Sequence, residues 1–413
     1  MLTTEKIKND LPKGWKIAKL GDVFEVVTGN TPPKKDPENY GNDIPFVKPP
    51  ELRNSIIDSS EDNLSIVGAT KSRVLPPFSI LVSCIGNLGK IAMNKIPVAF
   101  NQQINALKYS ENFNPKYPFY FCQTFTFKSQ LQEASSATTV AIVNKSNFEK
   151  LKIIVPPRDE QNHIVEKLEE LFSELDHSIT TLKATQQQLQ TYRQSVLKHA
   201  FEGHFTEKNK EWSEVKLDII SSAINGFAFK SEAFIEEGKY QVVRIGNVKQ
   251  GGFKLKEKTV FIDTVSDKVI KKSSLKKGDL IITLTGTRNK KDYGYVALVN
   301  SENNLLLNQR LAIIRVNNKC NPKFYLYYLM TDKFRDQFFS NETGNVGQGN
   351  VGINGIRESI VPFPATEDQN NTVIEIETRL SESDYLLQTI NQQLLHAESL
   401  RQSILQRAFN GEL

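Results

Sequence analysis

The chain has 413 residues, is 39% hydrophobic and 24% charged, and carries a formal net charge of +5 with three cysteines. That length suffices for two or three domains with cores of their own. The opening "MLTTEKIKND" has no apolar run after a basic segment, and no stretch approaches the roughly 20 apolar residues of a membrane span, so a soluble, cytoplasmic protein is expected. Cys84, Cys122 and Cys320 are odd in number and far apart in apolar surroundings, which argues for reduced, packed thiols over disulfides or a metal site.

Residues 12–157 carry short β-branched and aromatic runs such as "DVFEVVTG" and "FSILVSCIG", broken by Gly, Pro, Asn and Asp, with one amphipathic helix after "NPK". This reads as a compact α/β module. A proline stop, "IIVPPRDEQ", then opens a segment, 158–205, with neither Pro nor Gly until Gly203. Leu168, Leu175, Leu182, Leu189 and Val196 recur every seven residues there, with Ile164, Leu171 and Tyr192 on the neighbouring seam. The pattern predicts one long helix, and about 42 residues span roughly 60 Å, longer than such a module is wide. Residues 211–364 form a second module, containing "GDLIITLTG". Residues 365–413 form a second long helix whose seam holds Ile376, Leu380, Leu387, Ile390 and Ile404. Thr366 and Gln369 have the spacing of a capping box at its start.

The second half of the chain repeats the first. "RQSVLKHAFEGHF", from Arg193, returns as "RQSILQRAFNGEL", from Arg401, and one register holds from Glu160/Asp368 to the end, pairing Val165 with Val373, Phe172 with Leu380, Ile179 with Leu387, Leu182 with Ile390 and Val196 with Ile404. Upstream, Trp15 matches Trp212, Thr28-Gly29 matches Asn225-Gly226, "IPFVK" matches "YQVVR", "FNQQ" matches "LNQR" and "NPKYPFYF" matches "NPKFYLYY". The order is therefore head, helix, head, helix. The first helix carries the chain to the second head, and the second helix has only the first on which to bury its stripe. An α+β protein is expected, with two heads in tandem repeat and two long antiparallel coiled-coil helices about a pseudo-twofold axis. The seam would also accept a partner's helices.

From Lys239 to Arg335 there are 20 Lys and Arg against 7 Asp and Glu, whereas both helix segments lean acidic. A local basic surplus suits a polyanion, although a solvated Lys-rich face has the same composition. Two unlike heads at a set distance suit DNA read in two different halves. The W-x-x-x-x-L openings (Trp15 to Leu20, Trp212 to Leu217), the strand, proline and "DEQ" or "EDQ" before each helix, and the "RQSxL..AF.G" endings resemble the specificity subunits of type I restriction-modification enzymes over nearly the whole chain. The resemblance implies two target recognition domains, helices that set the spacer, and a non-catalytic subunit of a restriction endonuclease and adenine-N6 DNA methyltransferase complex. Its partners would be double-stranded DNA, two methylation subunits and restriction (motor/nuclease) subunits. It implies no cofactor in this chain, with S-adenosylmethionine, ATP and Mg on the partner subunits. The chain departs from the pattern before its second helix, where there is one extra residue and no double proline, and Arg158 stands at the place of Thr366.

Three short stretches and the histidines bear on other chemistries. "LPPF" at Leu75–Phe78 is close to the tetrapeptide of amino methyltransferases, but Leu75 has no oxygen to accept a bond from a target amine, so a turn into a strand is expected. "GNLGK" at Gly86–Lys90 lacks the phosphate-loop spacing and predicts a hairpin. Glu214 and Lys216 have no matching pair in the first half, which weakens a nuclease reading, and His163, His177 and His199 have no partner at metal-ligand spacing. A coiled-coil adaptor that touches no nucleic acid remains the main alternative.

Positions kept in both halves do one job for two targets, so Asn101–Gln103 and Asn308–Arg310 read as scaffold or phosphate contacts, and the aligned Lys48 and Arg244 as backbone contacts or salt-bridge partners. Base reading is expected where the copies diverge, in "NTPPKKDPENYGN" (30–42) and "TRNKKDYG" (287–294). The candidates there are Lys34, Lys35 and Tyr40, then Arg288, Lys290, Lys291 and Tyr293.

Overall fold

The computed structural model describes residues 11–136, 140–202, 212–300, 304–345 and 347–413. Each head is built around a strand that is apolar on both sides. In the first head Ile80–Ser83 lies between Ile104–Leu107 and Ile91–Asn94, with Val26–Thr28 and Ser55–Ile57 completing a five-stranded sheet. Ile80 and Val82 face one core and Leu81 another, so the run "ILVS" shows no alternation because both faces of the sheet are covered. In the second head Leu280–Thr283 does the same between Leu311–Val316 and Val296–Leu298, with Ile281 turned to the opposite core from Leu280 and Ile282. A second sheet crosses each head on a parallel pair, Tyr40–Val47 with Val98–Phe100 and Tyr240–Val243 with Leu305–Leu307.

Each head is closed by its own ends. Lys16–Lys19 pairs with Lys152–Val155, and Glu214–Lys216 pairs with Ile360–Pro362. The helix expected after "NPK" is present in both heads, at Lys116–Gln123 and Pro322–Leu329, each followed by another helix, Phe125–Glu133 and Asp332–Ser340. The strand next to it then leads into a long helix, Arg158–Phe201 in the first half and Thr366–Phe409 in the second. Gly203 and residues up to 211 lie outside the described residues.

The chain divides into two compact units, 1–183 with 391–413 and 184–390, so each long helix is shared between them. In the first unit Ile164, Val165, Leu168 and Phe172 of the first helix enter the head's core together with Ile404, Leu405, Ala408 and Phe409 of the second. Arg401 donates to Asp176, while Phe409, eight residues on, reaches Tyr117 and Phe121 of the head from which the first helix departs. The segments are therefore antiparallel. The second unit repeats this with duplicate residues: Arg193 donates to Asp384, and Phe201 meets Phe324 and Tyr328 at ring-centroid distances of 5.1 and 5.2 Å. Val196, Leu197 and Ala200 pack there on Ile376 and Leu380.

The seam is covered unevenly. Leu168, Leu175, Val196, Ile376, Leu380, Ile390 and Ile404 are buried, whereas Leu182, Leu189 and Leu387 are half-buried and Tyr192 is exposed. One helix shields only one side of a seam residue, and a head must cover the other. The capping box expected at Thr366 and Gln369 is replaced by another device. Gln369 is fully buried, donates from Nε2 to the carbonyls of Pro364 and Lys319, and accepts from the Asn321 amide at 2.7 Å. Gln161 makes the duplicate bonds to Pro156 and Asn114. An amide with both donor and acceptor ends ties helix to head, where a cap would tie the helix only to itself.

Candidate nucleic-acid interface

Several of the aligned residues brace the frame of the heads. Gly29 lies so close to Asn101 that an added Cβ would stand 2.2 Å from its carbonyl oxygen, and Gly226 has the same 2.2 Å relation to Asn308. No side chain fits either place, so the "TG" and "NG" of the two halves answer the two "NQ" turns. The Asn101 side chain is spent on Gln103, bonding both its amide and its Oε1. Lys48 and Arg244 each precede a 3-10 turn, Pro49–Glu51 or Ile245–Asn247, and their amides donate to Glu51 and Asn247. The Lys48 ammonium pairs with Asp62, while Arg244 donates to the Lys258 carbonyl at 2.7 Å and lies 5.9 Å from the Phe234 ring.

The first divergent stretch is less of a loop than its composition suggests. Pro37–Asn39 is a 3-10 turn, Tyr40 begins a strand, and the Tyr40 hydroxyl donates to the Pro32 carbonyl at 3.0 Å. The Asn39 side chain adds a bond to Pro33 at 3.1 Å. Lys34 and Lys35 project from this braced segment, exposed and in no ion pair among the described residues.

In the second head, strand Thr285–Thr287 leads into the turn Arg288–Lys290, and Lys291 has the left-handed φ of 46° that reverses the chain. The strand belongs to a small sheet with Gln348–Val351 and Glu342–Thr343. Beneath it Tyr293 is fully buried, against Phe338 and Phe339, with its hydroxyl on Glu342. Tyr293 thus has no surface to offer a base and supports the stretch instead; the sequence shows it beside charged neighbours, while its burial is decided by two phenylalanines some 45 residues on. Arg288 Nε donates to the same Glu342 carboxylate at 2.7 Å. The hydrogen bond from Arg288, then that from Tyr293, holds the Glu342 carboxyl below the usual range, and burial pushes the Tyr293 hydroxyl up. Lys291 stands 5.0 Å from the Phe339 ring, and Lys290 is exposed with no ion pair among the described residues.

Beside this stretch lies a shallow cleft of about 450 Å³, lined among others by Lys249, Thr285, Asp292, Tyr295, Arg310 and Gln348. Glu342 and Gln348 are not among the site residues expected from the sequence. Their signal was the glycine-rich "TGNVGQGNVG" at 343–352, since Gly349 leaves room for the Tyr293 hydroxyl and the Glu342 carboxylate.

The residues behind the rival readings are accounted for within the fold. Leu75 is buried in a strand edge, "GNLGK" joins the paired strands Ile80–Ser83 and Ile91–Asn94, and Glu214 and Lys216 are engaged with Lys333 and Glu358. The described residues hold no group of three or more potential metal ligands, and no helix among them is long and apolar enough to cross a membrane. All three cysteines are free and buried, and burial pushes the Cys84 thiol up to about 12.

Fold and surfaces together define a tandem protein in which one frame, used twice, carries two different polar faces. The profile of a family described as the type I restriction modification DNA specificity domain matches residues 12–188 and again residues 209–396. The chain belongs to this family and carries its domain twice. It is 24% identical to the EcoKI specificity subunit of Escherichia coli over 98% of this chain and 90% of that one. It is 32% identical to the HindI specificity subunit of Haemophilus influenzae over 43% of this chain and 39% of the other. Among solved structures, a chain described for complex assembly and conformational transition of the type I R-M system superposes with a TM-score of 0.77 at 18% identity, over 98% of this chain and 99% of that one.

Proposed function

We propose that this chain is the DNA sequence-specificity subunit of a type I restriction-modification complex. Each head reads one half of an asymmetric two-part target, and the paired helices set the unread spacer and dock the methylation subunits. The observation that carries this is the duplication itself: an equivalent junction, Gln161 and Phe201 repeated by Gln369 and Phe409, ties a long helix to each of two heads whose polar surfaces differ. A reader of two unlike half-sites needs both properties. Lys34, Lys35, Lys48, Arg244, Arg288, Lys290 and Lys291 would meet DNA, with Tyr40 bracing the first set. Chemistry would reside in two methylation subunits and the restriction subunits, which would bring S-adenosylmethionine, ATP and Mg.

The test is co-expression with the methylation subunit, addition of S-adenosylmethionine and mapping of modified bases on a random-sequence library. Two short sequence blocks about a constant gap are the expected result. No association and no modification would favour the adaptor reading instead.

A further inference from the structure

The shared frame allows the cleft of the second head to be compared, place by place, with the corresponding surface of the first. The isolated pairing of Ile85 with Ile142 in the first head corresponds to that of Thr285 with Asn350 in the second. By the same count Val140 stands where Gln348 does, and "NQQ" against "NQR" puts Gln103 at the place of Arg310. One strand pairing is kept in both heads, and the groups that stand beside it differ. Gln103 is tied back to Asn101, whereas Arg310 is exposed and in no ion pair among the described residues. The Val140 side chain has no polar atom, and Gln348 is an exposed amide on the strand that borders the cleft.

The cleft is open to the surface, so the edge of a duplex can pass over it. A Cβ on Gly246 or Gly347 of its lining would meet nothing within 4 Å. Lys249 and Arg310 outnumber the single carboxylate, Asp292, along its lining. The Thr285 hydroxyl in its wall is buried with no hydrogen-bond partner among the described residues.

We propose that Arg310 and Gln348 are specificity-determining residues of the second head, Arg310 donating its guanidinium fork to a guanine edge and Gln348 meeting an adjacent adenine. The reasoning rests on the DNA-reading function proposed above and narrows it to two side chains. A guanidinium matches O6 and N7 of guanine with two parallel bonds, and a primary amide matches N6 and N7 of adenine. Lys249 is placed for the neighbouring phosphate, where a point charge suffices.

The experiment uses the full chain assembled with its methylation subunits, carrying Arg310→Gln or Gln348→Val, the residues of the first head, and reads the methylated motif. Each variant is expected to relax one base position in one half-site by roughly tenfold to a hundredfold, with the spacer and the other half unchanged. The retained half reports, in the same molecules, that the protein is folded and assembled. Arg310→Lys separates charge from fork: it is expected to relax the same position, and a fully retained motif there would reduce Arg310 to a phosphate contact and overturn the assignment. An unchanged motif with Arg310→Gln, or an even fall at all positions, would do the same. A two-part motif from the unsubstituted complex leaves the broader function standing in either case, whereas no motif from that complex would remove the function itself.

Discussion

Arg193 of the first long helix donates from Nη1 to the carboxylate of Asp384 on the second, and Arg401 gives the duplicate bond to Asp176. The repeat places Arg193 with Arg401 and Asp176 with Asp384, so one ancestral pair serves in both units. These pairs are partly exposed, and each should contribute about 0.5–1 kcal/mol. The Arg401 guanidinium also lies 4.4 Å from the centroid of the Phe172 ring, a contact worth about 0.5–1 kcal/mol more. Arg401→Ala is therefore expected to cost more than Arg193→Ala in urea unfolding, and equal losses would deny the ring contact a role.

Burial along the seam ranks its leucines. Leu168 is fully buried in the first head's core, whereas Leu189 is half-buried. Leu168→Ala should cost about 3 kcal/mol and Leu189→Ala less than about 1 kcal/mol, measured as the shift of the unfolding midpoint. Similar losses at the two places would mean that the seam is packed evenly.

Gly226→Ala should destabilise the second head by about 3 kcal/mol, because the new Cβ must push the Asn308 carbonyl aside. Gly246→Ala, which meets open space, should cost less than about 1 kcal/mol. Thermal unfolding of the two variants side by side checks the contrast.

Exposed cations and engaged ones should act differently on DNA. Lys290→Ala is expected to weaken binding alike on all sequences and to lower the salt slope by about one. Arg288→Ala should weaken methylation of one half-site without altering the spacer, since the turn it braces through Glu342 belongs to one head. Equal effects on both half-sites would remove Arg288 from that role.

The Glu342 carboxyl is held low in the folded protein. Such a group contributes stability that is present above its unfolded value, about 4.3, and lost as pH falls through the folded one. Protonation of Glu342, at a pH below the ordinary glutamate range, should therefore free Arg288 and loosen the turn at 288–290. Hydrogen exchange of the Thr287 and Lys291 amides should rise there, and Glu342→Gln should remove that acid dependence.

The sequence by itself determined the order of parts. Heptad spacing, the absence of Pro and Gly, and a repeat in one register are local or one-dimensional facts, and they place two heads and two long helices without any knowledge of contacts. Residue chemistry also went far enough to assign Lys34, Lys35 and Lys290 to the surface. Tertiary structure alone decided which polar residues are spent inside the fold. Tyr293 reads as a loop aromatic until Phe338, Phe339 and Glu342 close on it, and Gln161 and Gln369 read as helix starts until Asn114 and Asn321 bond to them. Arg310 reads as scaffold or a phosphate contact because it adjoins a repeated Asn-Gln, although it is the member of that turn in which the copies differ. Whether a side chain is consumed or available depends on partners tens to hundreds of residues away, and that is the information a linear pattern does not carry.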